Sequence, residues 1–278
     1  MPWVPRGIRE GVVTSRYPRE PDGYGSVFRG SLNVSGDAAD VDALDAVVDA
    51  CPTKAIAVRN SIVELDRGAC ILCGRCVAML PDVFEFSSGV ETSSTTRSGL
   101  VIPARDDTEE SVAAVRDALA QRVKVLRRSV HVRHVDAGSD GSEEWEIAAL
   151  TNPIYDVQRL GIFFTASPRH ADVLLVTGVG AAGMIEPLRR TLDVMPSPKV
   201  VIAAGVDAIG GGIIGEGYAS CGGIGSSIPV DVFVPGSPPS PFGLLHGILM
   251  AVNLLSPLKS TSARTSGIGG NGARGEGP

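Results

Sequence analysis

Long apolar runs are missing from this sequence of 278 residues. The longest run, residues 242–255, is interrupted by His246 and Asn253, and it is shorter than the roughly 20 residues that a membrane-spanning helix needs. No apolar stretch of the kind found in a signal peptide follows residues 1–6. We therefore expect a chain without a transmembrane segment, whose link to any membrane comes through partner subunits.

A surplus of basic residues is missing as well. The formal net charge is −6, which gives no positive surface for nucleic acid and excludes that class of partner. Only five cysteines are present, and four of them form one group, so Cys221 has no cysteine left to pair with. This excludes a disulfide framework and favours a reducing, cytoplasmic setting. The length predicts about two domains.

The four grouped cysteines carry the clearest chemical pattern in the chain. Cys70, Cys73 and Cys76 form a C-x2-C-x2-C run, and Cys51 precedes Pro52. Bacterial-type iron–sulfur clusters are held by such a run together with the cysteine of a distant Cys-Pro pair. The pattern therefore predicts one 4Fe-4S cluster bound by these four thiolates. Two alternatives remain open, a zinc site, because C-x2-C pairs also bind zinc, and four inert buried thiols.

The cysteine region also contains an internal repeat. A shift of 29 positions carries Cys51 and Pro52 onto Leu80 and Pro81. In a symmetric two-cluster protein, a second set of ligands would occupy four positions that are all aliphatic here: Val41, Leu44, Val47 and Leu80. A packed apolar plug in place of a second cluster explains this joint replacement, because a half-emptied site would leave a cavity. The repeat therefore predicts one cluster in this region rather than two.

With these cysteines, residues 1–90 resemble the ferredoxin-type subunits of complex I and of formate-hydrogenlyase-like complexes. Residues 16–21, Arg-Tyr-Pro-Arg-Glu-Pro, are similar to the extended Tyr-Pro arm of that family. We expect an extended arm over residues 1–36 and an α+β ferredoxin-like 4Fe-4S domain over 37–106. Apolar residues at helical spacing predict a helix over 37–50 and a connecting helix over 107–128.

The second half alternates strand-like apolar runs with helical segments, which predicts a parallel sheet covered on both faces. Strands are expected at residues 129–135, 161–165, 172–177, 199–204 and 229–235, and helices near 183–194 and 241–254. We assign residues 129–256 to this α/β domain. Residues 257–278, rich in Gly, Ser and Thr, are expected to form a disordered tail.

Motifs in this half resemble the small iron–sulfur subunit shared by complex I (its 20 kDa-type subunit) and membrane-bound nickel-iron hydrogenases. They lie at residues 152–156, 159–161, 167–178, 186–188 and 235–241. The resemblance implies a flavodoxin-like fold that places one 4Fe-4S cluster against a large catalytic subunit. The family's four cysteines correspond to positions that hold no cysteine here: Asp140, Glu143, Asp207 and Ser237.

We therefore expect no cluster in the second domain, since oxygen ligands suit hard cations and not an iron–sulfide core. Two interpretations of the four replacements remain. In one, the cluster is lost and polar residues lie in a hydrated crevice. In the other, Asp140, Glu143, Asp207 and Ser237 converge on a magnesium-like or calcium-like ion, because three buried carboxylates must be neutralised or have raised pKa values.

One further motif allows a different class of function. Gly178, Gly180 and Gly183 form G-x-G-x-x-G after a strand and before a helix, and Asp207 ends the next strand. This arrangement is typical of dinucleotide-binding sites. The alternative is an ordinary tight loop that faces a partner.

These features predict an iron–sulfur electron-transfer subunit of a membrane-associated oxidoreductase complex, of the complex I (NADH:quinone oxidoreductase) or formate hydrogenlyase/group 4 hydrogenase type. Its partners would be a large hydrogenase-like or complex I-like catalytic subunit and membrane subunits, and it would lie on the cytoplasmic face of the membrane. No catalytic base or nucleophile is evident, so turnover belongs to a partner. The alternatives are a non-redox assembly subunit and a nucleotide-binding enzyme.

Overall fold

The computed structural model describes residues 3–20, 28–34, 41–59, 62–103, 108–126 and 129–255. The helices are α1 (Trp3–Glu10), α2 (Val41–Ala50), α3 (Arg75–Met79), α4 (Glu109–Arg122), α5 (Ser142–Ala149), α6 (Ala182–Val194), α7 (Gly205–Gly210) and α8 (Pro241–Ala251). The strands are β1 (Arg29–Val34), β2 (Ile56–Arg59), β3 (Ile62–Asp66), β4 (Phe84–Ser88), β5 (Val101–Ile102), β6 (Val130–Asp136), β7 (Ile162–Phe164), β8 (Val173–Thr177), β9 (Val200–Ala204) and β10 (Val232–Val234). No described helix is both long and apolar enough to cross a bilayer.

The first half forms a small α+β unit. It contains a three-stranded antiparallel sheet in the order β2-β3-β5 and an antiparallel pair of β1 with β4. Helix α2 forms where the apolar stripe predicts it, and it buries Leu44 and Val47 in the core of this unit. Leu80 packs against the same core. Three of the four aliphatic positions thus lie in or against the core, while the side chain of Val41 is outside the described set.

The expected arm differs from the structure at its C-terminal end. Strand β1 pairs with β4, and Leu32 in this strand is buried in the core of the small unit. Gly, Ser and Asn are poor strand formers, so this strand depends on its pairing with β4 and has no local signal. The earlier part does lie on another element: Tyr17 is buried, and its ring contacts Phe242 of α8 edge-on at 5.8 Å between ring centroids.

The second half is built on a five-stranded sheet in the order β10-β9-β8-β6-β7, in which every neighbouring pair is parallel. Every residue of β8 and β9 is buried, as expected for central strands whose two faces are both covered. Apolar clusters lie on both faces of the sheet. Parallel strands end at one edge, so the loops that follow β6, β8, β9 and β10 meet there.

The two halves share an interface. Ser94 exchanges two backbone hydrogen bonds with Phe233, at 3.0 and 2.8 Å. Leu100 is buried in an apolar cluster of the second half, and Arg122 at the end of α4 pairs with Asp231. A Cβ on Gly68 would lie 3.0 Å from the Cγ2 methyl of Ile209. The loop that carries the cysteines therefore packs close to the carboxyl edge of the parallel sheet.

Candidate metal centre

The four grouped cysteines line one cavity in the small unit. Cys51 follows α2, Cys70 and Cys73 lie in the loop after β3, and Cys76 lies in α3. The cavity has a volume of about 390 Å³, including its open mouth, and much of its wall is apolar: Leu32, Val47, Ala55, Ile56, Leu65, Leu72 and Phe86. Cysteines separated by as many as 25 positions along the chain are thus brought to one largely apolar cavity.

The cysteine loop has an unusual backbone conformation at two positions. Gly74 has φ +79°, and Leu72 has φ +54°, which is unusual for a residue with a side chain. A Cβ on Gly74 would lie 3.4 Å from the ring of Phe86, so the loop packs closely on β4. On the opposite wall, the N–H of Ala55 donates to the Sγ of Cys51 at 3.3 Å. Such N–H donors favour negative charge on sulfur.

Two of the four thiols resist ionisation. The pKa of Cys70 is raised to about 11, chiefly by burial and in smaller part by negative charge on the other three cysteines, while the N–H of Leu72 opposes the rise. Burial also raises the pKa of Cys76. Cys70 and Cys76 therefore become thiolates more readily beside a bound cationic centre, which is the linkage expected of a metal site.

An iron–sulfur cluster fits these residues. The donor set is entirely sulfur, which suits soft centres. The apolar wall limits access of water to a bound cluster. The third cysteine at x2 spacing and the Cys51-Pro52 pair fit a cluster better than a zinc site.

The four expected ligand positions of the second domain lie at the carboxyl edge of the sheet, Asp140 and Ser237 in loops and Glu143 and Asp207 in the first turns of α5 and α7, but they differ in environment. Glu143 is only 1% exposed, whereas Asp207 is half-buried and Asp140 and Ser237 are exposed. Asp140 accepts a hydrogen bond from the N–H of Ser142 at 2.9 Å. The expectation of three buried carboxylates is therefore wrong, because an exposed aspartate can bond to its own loop and stay hydrated.

Burial shifts the pKa of Glu143 more than it shifts the pKa values of its neighbours Asp140 and Asp207. Its pKa is raised to about 7, first by burial and then by the charges of Asp207 and Asp140. Burial also raises the pKa of Asp207. Glu143 is therefore protonated and uncharged over much of the acid pH range. Among the described residues, no three His, Cys, Asp or Glu side chains are close enough together to hold a single metal ion, and this applies to the four cysteines as well as to these carboxylates. A 4Fe-4S cluster differs from a single ion, because each of its four cysteines binds a different iron.

A hydrogen-bonded network behind Glu143 was not predicted from the sequence. Glu144 accepts hydrogen bonds from the hydroxyls of Thr177 and Ser139, both at 2.5 Å. His134 lies 3.0 Å from the Thr177 hydroxyl, and its pKa is lowered by burial. This network fixes the loop between β6 and α5, so His134 is part of the structural support.

Protein atoms occupy the space beside two of the three glycines in the G-x-G-x-x-G motif. A Cβ on Gly178 would lie 2.4 Å from the backbone N of Ser139, and one on Gly180 would lie 2.6 Å from the carbonyl oxygen of Gly223. Only Gly183 faces open space. Neighbouring loops thus occupy the space that a pyrophosphate needs next to the first two glycines. The dinucleotide alternative has no physical basis here, and the ordinary tight loop explains the motif.

We predict that Gly180→Ala destabilises the protein by about 1–3 kcal/mol, because φ is +72° at this position and the new methyl group meets a carbonyl oxygen. The matched control is Gly183→Ala in α6, where the methyl group enters open space and helix propensity favours alanine by about 1 kcal/mol. Urea unfolding of both variants measures the difference. Equal stability of the two would contradict the packing argument.

Comparisons with known proteins match both halves. Residues 63–122 match the family described as a 4Fe-4S single cluster domain, a range that includes Cys70, Cys73 and Cys76 but not Cys51. Residues 141–251 match the family described as the NADH ubiquinone oxidoreductase 20 kDa subunit. Both expected resemblances are thereby confirmed at the level of the family.

Two curated relatives cover about half of the chain. Formate hydrogenlyase subunit 7 of Escherichia coli (strain K12) is 40% identical over 154 residues, which are 55% of this chain and 59% of that protein. The probable membrane-bound hydrogenase subunit mbhJ of Pyrococcus furiosus is 41% identical over 140 residues, which are 50% of this chain and 84% of that protein. A solved chain of the membrane-bound sulfane sulfur reductase, an archaeal respiratory membrane complex, is 29% identical with a TM-score of 0.42, covering 48% of this chain and 73% of that chain. The chain thus spans less than two thirds of the formate hydrogenlyase subunit that it matches.

Proposed function

Because the chain belongs to the family of the NADH:ubiquinone oxidoreductase 20 kDa subunit, we propose that it is an iron–sulfur electron-transfer subunit of a membrane-associated oxidoreductase complex. The complex is of the NADH:quinone oxidoreductase or formate hydrogenlyase type, and its catalytic turnover takes place in another subunit. The observation that carries this proposal is the cavity lined by four cysteines in a chain whose other half matches a subunit of such complexes. The small unit is ferredoxin-like and the parallel-sheet unit flavodoxin-like in this proposal.

Cys51, Cys70, Cys73 and Cys76 are the proposed ligands of one 4Fe-4S cluster. Cys51 lies outside the range of the single-cluster family, and its place in the shared cavity supports its inclusion. A bound cluster supplies one-electron transfer at this site. The chain itself contributes thiolates, an apolar wall and N–H donors to sulfur, which together hold the cluster and exclude water.

The second domain carries no cluster in this proposal. Between residues 141 and 251 the single cysteine is Cys221, whose N–H donates to the carbonyl oxygen of Gly180 at 3.0 Å. One thiol cannot hold a cluster, and oxygen groups do not suit iron–sulfide cores. Electron transfer within the chain therefore ends in the small unit, and the carboxyl edge of the sheet is a polar crevice.

The surface near this edge supports docking of a partner. Trp145 in the first turn of α5 is 79% exposed, and Ile213, Ile214 and Tyr218 in the segment after α7 are exposed as well. Exposed aromatic and aliphatic side chains of this size are typical of interfaces. We infer that a large hydrogenase-like or complex I-like catalytic subunit covers them, and that membrane subunits of the same complex hold the chain at the cytoplasmic face.

We expect the double variant Ile213→Ser, Tyr218→Ser to reduce recovery of the catalytic subunit at least tenfold, since exposed apolar anchors contribute about 1–3 kcal/mol each to an interface. The measurement is affinity purification from detergent-solubilised membranes, followed by quantitative mass spectrometry. Val125→Ser is the control, because Val125 is also exposed but follows α4. Undiminished recovery with the double variant would place the partner elsewhere.

The function itself is tested in the native complex. A tagged chain purified anaerobically from membranes is expected to bring with it a large hydrogenase-like or complex I-like subunit and integral membrane subunits. Its cluster should be reduced by dithionite and reoxidised reversibly, as followed by electron paramagnetic resonance. Recovery of the chain without these partners contradicts the proposal, and a cluster that is never reduced in the complex supports the assembly-subunit alternative.

A further inference from the structure

A second cavity lies between the two domains, directly behind one of the proposed ligands. Its volume is about 240 Å³. Strand β1 forms one wall, Cys70 and Leu72 form another, and Pro235 and Gly236 of the second domain close it. Arg67 lines the same cavity and is the single charged residue among its lining residues. One cationic side chain and one proposed cluster ligand thus face the same enclosed space.

The guanidinium of Arg67 is held in place by β1. Its Nη2 donates to the Oδ1 of Asn33 at 2.5 Å, and its Nε donates to the carbonyl oxygen of Leu32 at 3.4 Å. The backbone N–H of Arg67 donates to the carbonyl oxygen of Leu100 at 2.9 Å. The side chain therefore reaches back from the cysteine loop to β1.

No carboxylate of the described chain forms an ion pair with Arg67. Its neighbour Asp66 is engaged by Arg97, with two hydrogen bonds of 2.7 and 2.5 Å. The pKa of Arg67 is lowered by burial and raised by the negative charge of the Cys70 thiolate. The positive charge is thus half-buried, and its hydrogen-bond partners in the described chain are neutral oxygens.

We propose that Arg67 sets the reduction potential of the cluster held by Cys70, an inference that rests on the proposed function. Reduction adds one electron to the cluster and neither forms nor breaks a bond to Arg67. A fixed cation beside a ligand stabilises the more negative, reduced state more than the oxidised state. Screening of this interaction is reduced because Arg67 is half-buried where the two domains meet. Arg67 therefore raises the potential and makes the cluster a better electron acceptor.

The electrostatic role can be separated from a role in holding β1. Arg67→Gln removes the charge but can still hydrogen-bond to Asn33, whereas Arg67→Lys keeps the charge and loses the planar fork. Asn33→Asp leaves Arg67 in place and puts a neutralising carboxylate on its guanidinium, with little change of volume. Arg190→Gln removes an equally sized charge from the exposed face of α6 and serves as the control.

The test is a redox titration of each full-length, anaerobically purified variant with dithionite, followed by electron paramagnetic resonance, with iron counted per chain. We expect the midpoint potential to shift to more negative values in Arg67→Gln and in Asn33→Asp, and to stay near the wild-type value in Arg67→Lys and Arg190→Gln. An unchanged potential in Arg67→Gln, or an equal shift in Arg67→Lys, overturns the inference.

A cluster lost from Arg67→Gln does not end the test, because Asn33→Asp then decides it. An unchanged or more positive potential in Asn33→Asp overturns the role of Arg67 even when the wild-type cluster is intact. A wild-type chain that holds no cluster is a different result, since it contradicts the proposed function itself. Iron content and potential therefore distinguish failure of the proposed function from failure of this inference.

Discussion

Replacing Cys51 by alanine is expected to abolish the iron–sulfur cluster, with iron falling from about four atoms per chain to nearly none. The same loss is expected for Cys70→Ala, Cys73→Ala and Cys76→Ala, because the four thiols line one cavity and a 4Fe-4S cluster takes all four thiolates as ligands. Iron analysis and visible absorption of anaerobically purified protein measure the effect. Cys51 is the most informative position, since it lies outside the matched single-cluster range.

Cys221→Ala provides the matched control for these variants. Cys221 is half-buried like Cys51 and Cys70, but it lies in the second domain and does not line the cavity. Its removal should leave the iron content unchanged. Full iron content in Cys51→Ala would show that the fourth ligand comes from elsewhere, and loss of iron in Cys221→Ala would show that the second domain takes part.

Glu143→Gln is expected to stabilise the protein at pH 8 by about 3 kcal/mol. The folded-state pKa of Glu143 is about 7, against an ordinary value of 4.5, and one pKa unit corresponds to about 1.4 kcal/mol. Below pH 4.5 the carboxyl is neutral in both states and costs nothing. As the pH rises from 4.5 through 7 it ionises first in the unfolded chain, so stability is lost over this window, and the loss is complete above pH 7.

Glutamine removes this charge while keeping a hydrogen-bonding group next to Ser142, whose hydroxyl lies 3.1 Å from Glu143. Urea unfolding at pH 4 and pH 8 is therefore expected to show a gain only at the higher pH. Glu186→Gln on the exposed face of α6 is the control, with no such pH-dependent gain. A cation bound among these carboxylates predicts the opposite result, because the ionised Glu143 would then stabilise the fold and its replacement would cost stability at pH 8.

Elements with a local signal could be predicted. Continuous apolar runs predicted β8 and β9 of the second domain, and the apolar stripe around Leu44 and Val47 predicted α2 of the small unit. The short helices α5 and α7 were not predicted. Strand β1 could not be predicted in the same way, because its partner β4 lies about 50 residues further along the chain. Pairing across such a distance depends on the tertiary fold.

The candidate metal site likewise combines features that the local sequence indicates with features that depend on the tertiary fold. The spacing of Cys70, Cys73 and Cys76 is local and indicates the cluster loop directly. Arg67 lies three residues before Cys70. Its charge can act on the cluster only because β1 and the second domain form the other walls of the cavity that Arg67 and Cys70 share. The contrast between buried Glu143 and exposed Asp140 was also beyond the sequence, since the two lie three positions apart and only the packing of α5 against Gly205 separates them.

The central claim is one 4Fe-4S cluster in the small unit and none in the second domain. Iron and acid-labile sulfide counted per chain, on full-length protein isolated without exposure to oxygen, test this claim most directly. About four irons and four sulfides per chain are expected. Twice that number would show a second cluster, in the domain where the resemblance leads us to expect none. Absence of both elements, or zinc in their place, would contradict the electron-transfer function.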